Sequence, residues 1–189
     1  MQNYKKMSLE ELIILAQKND IRALEELIRK EQRNIFTTFS YLTKKRETVA
    51  DLTQEALLKV AKNIQSLKKP AAFHCWVNHI VTNIFYDELR KKERKPECIS
   101  MDEKEETYSC IPDKHCRPNE KCLSLELEKM IKSAILDLPE HFRIAIILRE
   151  LEGLSYEQIA EATDTTVGTV KSRISRARCR LQEGLKSYI

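Results

Sequence analysis

Apolar residues along the first half of the chain recur at steps of three and four, the period of one helix face. Leu9, Leu12, Ile13 and Ala16 form such a face. It opens at Ser8, whose hydroxyl is placed to cap a helix together with Glu11 three residues on. Asn19-Asp20 breaks the period. A second amphipathic helix follows with Leu24, Leu27, Ile28, Ile35, Phe36, Phe39 and Leu42 in step, and a third with Leu52, Ala56, Leu57, Val60 and Ile64. After a loop signalled by KKP at 68–70, a fourth helix is predicted over about 71–94. Its buried stripe is Phe73, Trp76, Val77, Ile80, Val81, Ile84 and Leu89. Phe73 and Trp76 keep step with that stripe, so they read as core rather than as wedges that stack on bases. Four helices with such stripes can share one core, which defines a first domain over 1–95.

From 96 to 121 the apolar period lapses, and Pro96, Pro112 and Pro118 intervene, so the span reads as a flexible linker. A second helical domain, 122–189, begins with Leu125, Leu127, Ile131 and Leu138. Pro139 suits the first turn of a helix that packs through Phe142, Ile146 and Leu148 and ends at Gly153. Ser155 and Gln158 make a capping box for the next helix. The chain then turns at Asp164, and Thr165 or Thr166 caps the last helix. Helices over 156–162 and 167–181 with a short turn between them have the spacing of a helix-turn-helix. Only 3 Gly and 5 Pro occur in 189 residues, so few turns are signalled. The expected fold is all-α: two small helical domains joined by an acidic flexible linker.

The net charge of +4 is modest, but its distribution is not. Between 166 and 189, Lys171, Arg173, Arg176, Arg178, Arg180 and Lys186 stand against Glu183 alone, whereas 97–128 holds nine acids and four bases. A basic end points to a polyanionic partner. On the last helix Val170, Ile174, Ala177 and Leu181 step by four, three and four and face the core. Thr169, Ser172, Arg173, Arg176 and Arg180 fall on the other side. Short hydrogen-bonding groups at the N-terminal end, with guanidinium groups further along, are the layout of a recognition helix in a major groove. Packing accounts for the apolar positions and for none of the arginines.

These residues carry a family resemblance. LPEHFRIAIILRELEGLSYEQIAEATDTTVGTVKSRISRARCRL resembles region 4 of a bacterial RNA polymerase sigma factor of the extracytoplasmic-function group, and GTVKSRISRAR is its most specific part. DLTQEALLKVAKNI resembles region 2.2, and FHCWVNHIVTNIFYDELRKKERK resembles regions 2.3 and 2.4, in the family's order. The resemblance implies an alternative sigma factor that lends promoter recognition and strand opening to core RNA polymerase. The implied partners are the β′ clamp helices and β flap of that polymerase, promoter DNA and an anti-sigma factor.

The same resemblance assigns surfaces. Asp51, Gln54, Glu55 and Leu58 would dock on the polymerase; on its own, the Asp51/Glu55 pair is an ordinary acidic patch. Asn83, Asp87, Arg90 and Arg94 step by four, three and four along one face of the fourth helix. Asn83 would capture an unstacked base of the −10 element through its amide, and Lys91, Lys92, Arg94 and Lys95 would hold phosphates. Thr169, Lys171, Ser172, Arg173, Arg176 and Arg180 would engage −35 duplex.

No Gly-rich phosphate loop or catalytic constellation occurs, so neither an enzyme nor a cofactor is expected. No apolar stretch is long enough to span a bilayer, which with the charged N-terminal start implies a cytoplasmic protein with no membrane insertion and with its 6 Cys as thiols. Cys98, Cys110, Cys116 and Cys122 lie in or beside the linker, separated by eleven, five and five residues, which is not the paired spacing of a zinc site; no metal is assigned. Cys75 and His79 share a helix face, but two ligands do not make a site, and Cys75 and Cys179 read as packing residues. The alternative is a plain helix-turn-helix regulator with a metal- or thiol-responsive linker. It leaves Asn83 and the basic run of the first domain unexplained.

Overall fold

Capping chemistry sets the boundaries of the helices. In a computed structural model that describes residues 3–94 and 118–186, with side chains over 3–91 and 126–186, the Ser8 hydroxyl accepts the Glu11 N–H. The Glu11 carboxylate in turn accepts the Ser8 N–H at 2.8 Å, opening α1 (Leu9–Gln17). Asn19, at a φ of 65°, reverses the chain. Asp20 then accepts the N–H groups of Arg22 and Ala23 at 3.0 and 3.1 Å and starts α2 (Ile21–Leu42). Next come α3 (Arg46–Asn63), a 3-10 turn at Pro70–Ala72, and α4 (Phe73–Arg94).

The four helices close on Leu12, Ile13, Leu27, Phe39, Val49, Val60 and Phe73, all buried. Each such side chain contributes about 1.5–3 kcal/mol of transfer free energy. Trp76 is half-buried and packs against this core. Phe36 departs from the predicted stripe and is exposed. Its neighbour Ile35 takes the inward position, and consecutive helix residues point about 100° apart, so both cannot face the core.

The second half consists of α5 (Pro118–Leu136), α6 (Glu140–Glu150), α7 (Tyr156–Ala162) and α8 (Val167–Leu185). Helix α5 starts inside the span expected as linker, and α8 runs one turn beyond the expected end. Pro139 is the N-cap of α6 rather than a residue of its first turn. The Ser155/Gln158 capping box opens α7, and Thr166 caps α8. Among the described residues no strand occurs. Val170, Ile174 and Ala177 of α8 are buried against α6, while Leu181 is only half-buried at its edge.

The two halves meet. Helix α4 packs on α7, and α2 packs on α5 and α6, so one apolar core runs through both. Arg143 clasps the joint: its guanidinium donates to the carbonyls of Leu42 at 2.6 Å and of Leu136 and Leu138 at 2.7 Å. Two of these are carbonyls left open at helix ends, where a cation is favoured.

Candidate functional site

Helix α3 presents its polar side to solvent because Leu52, Ala56 and Val60 take the inner side. Asp51 and Gln54 are exposed, and Leu58 is 59% exposed beside them. Glu55 is half-exposed and pairs with Lys59 at 2.9 Å, so its carboxylate is already partly neutralised. An apolar side chain held among carboxylates and an amide is suited to a basic protein surface with an apolar pocket.

On α4, Asn83, Asp87, Arg90 and Lys91 are exposed. The Asn83 amide nitrogen lies 3.2 Å from His79 Nδ1, and Arg90 pairs with Asp87 at 3.2 Å. The backbone of Arg94 continues the helix; its side chain and that of Lys92 lie outside the described ones, as do Lys95, Cys98, Cys110, Cys116 and the side chain of Cys122. Asn83 therefore stands on a solvent-facing ridge, two turns before the guanidinium of Arg90.

Helix α8 sorts its cations by what they touch. Arg178 is held by the Glu150 carboxylate at 2.5 Å. Lys171 and Arg180 lie over the rings of Tyr156 and Phe142, at 5.8 and 5.3 Å from their centroids. Arg176 is exposed and takes part in no ion pair among the described residues. Thr169 shares a hydrogen bond of 2.9 Å with Thr166, and the Ser172 hydroxyl donates to the Thr169 carbonyl. Cys179 is exposed, not packed: at its position the helix has turned away from α6. Cys75 is half-buried, and burial pushes its thiol pKa up. No cluster of three or more metal-ligating side chains occurs among the described residues.

The joint between the halves has features that the sequence pattern signals weakly or not at all. Arg173 lies close enough to Tyr86 of α4 for its positive charge to oppose the rise that burial imposes on the tyrosine pKa. Glu152, in the turn between α6 and α7, turns its carboxylate into the first domain, with a side-chain exposure of 8%. Its neighbour Leu151 is 46% exposed, the reverse of what polarity alone predicts. Gly153, at a φ of 68°, makes the turn possible, since a side chain there would strain the backbone.

The Glu152 carboxylate is met by Thr38, by Asn78 Nδ2 at 3.1 Å and by His74 Nε2 at 3.3 Å. The Thr38 hydroxyl also reaches the Asn34 carbonyl at 3.0 Å, and with one proton to give it donates to the charged acceptor. Burial raises the Glu152 pKa, but the bonds from His74, Thr38 and Asn78 outweigh it and hold the group below the usual carboxylate range. The Glu152 bond holds His74 above the ordinary histidine value. Nearby Glu31 is raised by burial. His74 and Asn78 are four apart on α4, a polar pair beside an apolar stripe; that spacing was the only visible hint.

Comparison with known proteins covers both halves. Residues 27–95 match the family Sigma-70 region 2, and residues 128–181 match Sigma-70, region 4. The ECF RNA polymerase sigma-E factor of Haemophilus influenzae is 42% identical over 139 residues, 70% of this chain and 72% of that protein. The ECF RNA polymerase sigma-E factor of Escherichia coli K12 is 39% identical over 134 residues, 69% and 70% of the two chains. Among solved structures, the sigma factor RpoE of Bartonella quintana, in complex with the anti-sigma factor NepR, superposes with a TM-score of 0.69 at 28% identity, covering 86% of this chain and 96% of that one. CnrH, solved with the cytosolic domain of CnrY, shares the fold at a TM-score of 0.65 and 19% identity, over 95% and 97% of the chains.

Proposed function

The chain belongs to the extracytoplasmic-function sigma factors of the sigma-70 family, and we propose that it directs core RNA polymerase to promoters through two DNA surfaces carried on different domains. The observation that carries this reading is the separation of Asn83 on α4 from Arg176 on α8, both exposed and each on its own domain. Duplex −35 DNA is bound by α8, with Thr169 and Ser172 near base edges and Arg173, Arg176, Lys171 and Arg180 on edges and phosphates. Strand capture at −10 belongs to α4, where Asn83 offers an amide to an extruded base and Arg90, Lys91 and Arg94 grip the strand beside Asp87.

Polymerase docking falls to Asp51, Gln54, Glu55 and Leu58, with the β′ clamp helices as their partner and the β flap as the partner of region 4. The protein contributes binding rather than catalysis, works in the cytoplasm where polymerase and chromosome are, and has an anti-sigma factor as its regulator. Among the described residues no helix is long and apolar enough to cross a membrane. The test is reconstitution: core polymerase with this chain should start transcripts from promoters that core alone ignores. Failure to start any, with a folded protein bound to core, would overturn the reading.

A further inference from the structure

We propose that Glu152 is a latch that holds region 4 closed on region 2 and that must leave its pocket before the two DNA surfaces can act together. This rests on the two-surface reading above. If −10 and −35 elements are engaged at once, their binding helices are separated by about 25 base pairs, roughly 85 Å of duplex at 3.4 Å per base pair. Here α4 packs directly on α7, and Arg173 of the recognition helix lies near Tyr86 of α4. The observed arrangement and the bound one are therefore different states of the same chain.

Glu152 is what makes the closed state specific. Apolar packing between α4 and α7 is indifferent to small slips, but a carboxylate is not. Thr38 comes from α2, His74 and Asn78 from α4, and Glu152 from the turn that leads into the helix-turn-helix. With Glu31, Asn34 and the apolar side chains of α2 and α4 they line a cavity of about 10 Å³, room for about one water. A buried charge whose bonds all cross the joint fixes one register. It also makes the closed state breakable as a unit, because once outside, the carboxylate is hydrated by water and keeps none of its former partners. Opening also moves Arg173 away from α4, so release of one turn residue uncovers part of the recognition helix.

The experiment uses the full chain. Asn78→Asp sets a carboxylate against the Glu152 carboxylate and should open the joint. His74→Ala removes one bond at a half-exposed side chain (47% exposed) and leaves the core intact. Both should enlarge the radius of gyration in small-angle X-ray scattering. Both should also tighten binding of the free protein to a −35 duplex, by about tenfold for Asn78→Asp, within the usual coupling range between two sites. Adding Glu152→Gln to Asn78→Asp gives the pocket an amide that can donate to the new carboxylate, and should restore the compact radius. Unchanged scattering and duplex affinity in a helical Asn78→Asp variant would overturn the latch. If that variant lost helicity, unchanged values in His74→Ala would overturn it instead. In holoenzyme, where core polymerase already holds the regions apart, every variant should transcribe like the parent. That assay reports on the function, whereas scattering reports on the latch.

Discussion

Arg176 and Arg178 are two residues apart on α8 and have the same chemistry, yet replacing them should give opposite results. Arg178 is occupied by Glu150 at 2.5 Å; Arg176 is exposed without an ion pair among the described residues. If −35 DNA is gripped by the cations that the fold leaves unspent, Arg176→Ala should weaken duplex binding. The loss should be about 1–3 kcal/mol if the guanidinium reads a base edge, which is roughly 5- to 150-fold in affinity. If it meets only phosphate, the loss is smaller and the slope of log affinity against log salt falls by about 0.9. Arg178→Ala removes a half-exposed pair worth about 0–1 kcal/mol to stability and should leave duplex affinity within about twofold. Thermal stability should move the other way round: Arg176→Ala stays within about 0.5 kcal/mol of the parent, as for surface changes without a partner. Fluorescence anisotropy of holoenzyme on a labelled duplex at two salt concentrations, with melting curves alongside, measures both. Equal losses of affinity for the two variants would refute the idea that intramolecular pairing decides which arginines face DNA.

Asn83→Ala should leave closed-complex affinity unchanged and reduce open complexes, read as permanganate reactivity of unpaired thymines; its exposed contact with His79 contributes little to stability. Asp51→Arg with Glu55→Arg should abolish co-purification with core polymerase while circular dichroism stays normal, since neither carboxylate is buried in the described fold. The joint should also answer to pH. His74 is raised above its unfolded value by Glu152, so its contribution is complete below about pH 6.5 and is lost as pH rises through the folded value. Glu152 is lowered, so its contribution is present above the usual carboxylate range and is lost as pH falls. Glu31, raised by burial, works against the closed state once ionised. The melting temperature should therefore decline above about pH 6.5, and His74→Ala should flatten that decline; an unchanged pH profile in the variant would count against the pair.

The helix faces were legible because their causes are local. Ser8 with Glu11 and Ser155 with Gln158 signal starts within four residues, and the step from Val170 to Ile174 to Ala177 needs no knowledge of what it packs on. The fates of individual cations were not legible. Lys171, Arg178 and Arg180 look alike in sequence, and only the positions of Tyr156, Glu150 and Phe142 on other helices tell them apart from Arg176. Glu152 is the extreme case. Its pocket is built by residues 74, 78 and 114 positions away, so no window of the chain contains the reason for its burial.

The joint between the regions is formed by a chain with itself, and that changes how strong it has to be. A contact with a dissociation constant of about 1 mM, some 4 kcal/mol, would go unnoticed between separate molecules at cellular concentrations. The 23 residues that join α4 to α5 supply an effective local concentration on the order of millimolar, enough to keep such a contact occupied about half the time. The Glu152 joint can thus be weak and still be the resting arrangement, so a partner that gains a few kcal/mol from the separated regions can displace it. A single proteolytic cut between α4 and α5 would test this without touching either domain: the two fragments should drift apart on dilution, although every residue of the joint is still present.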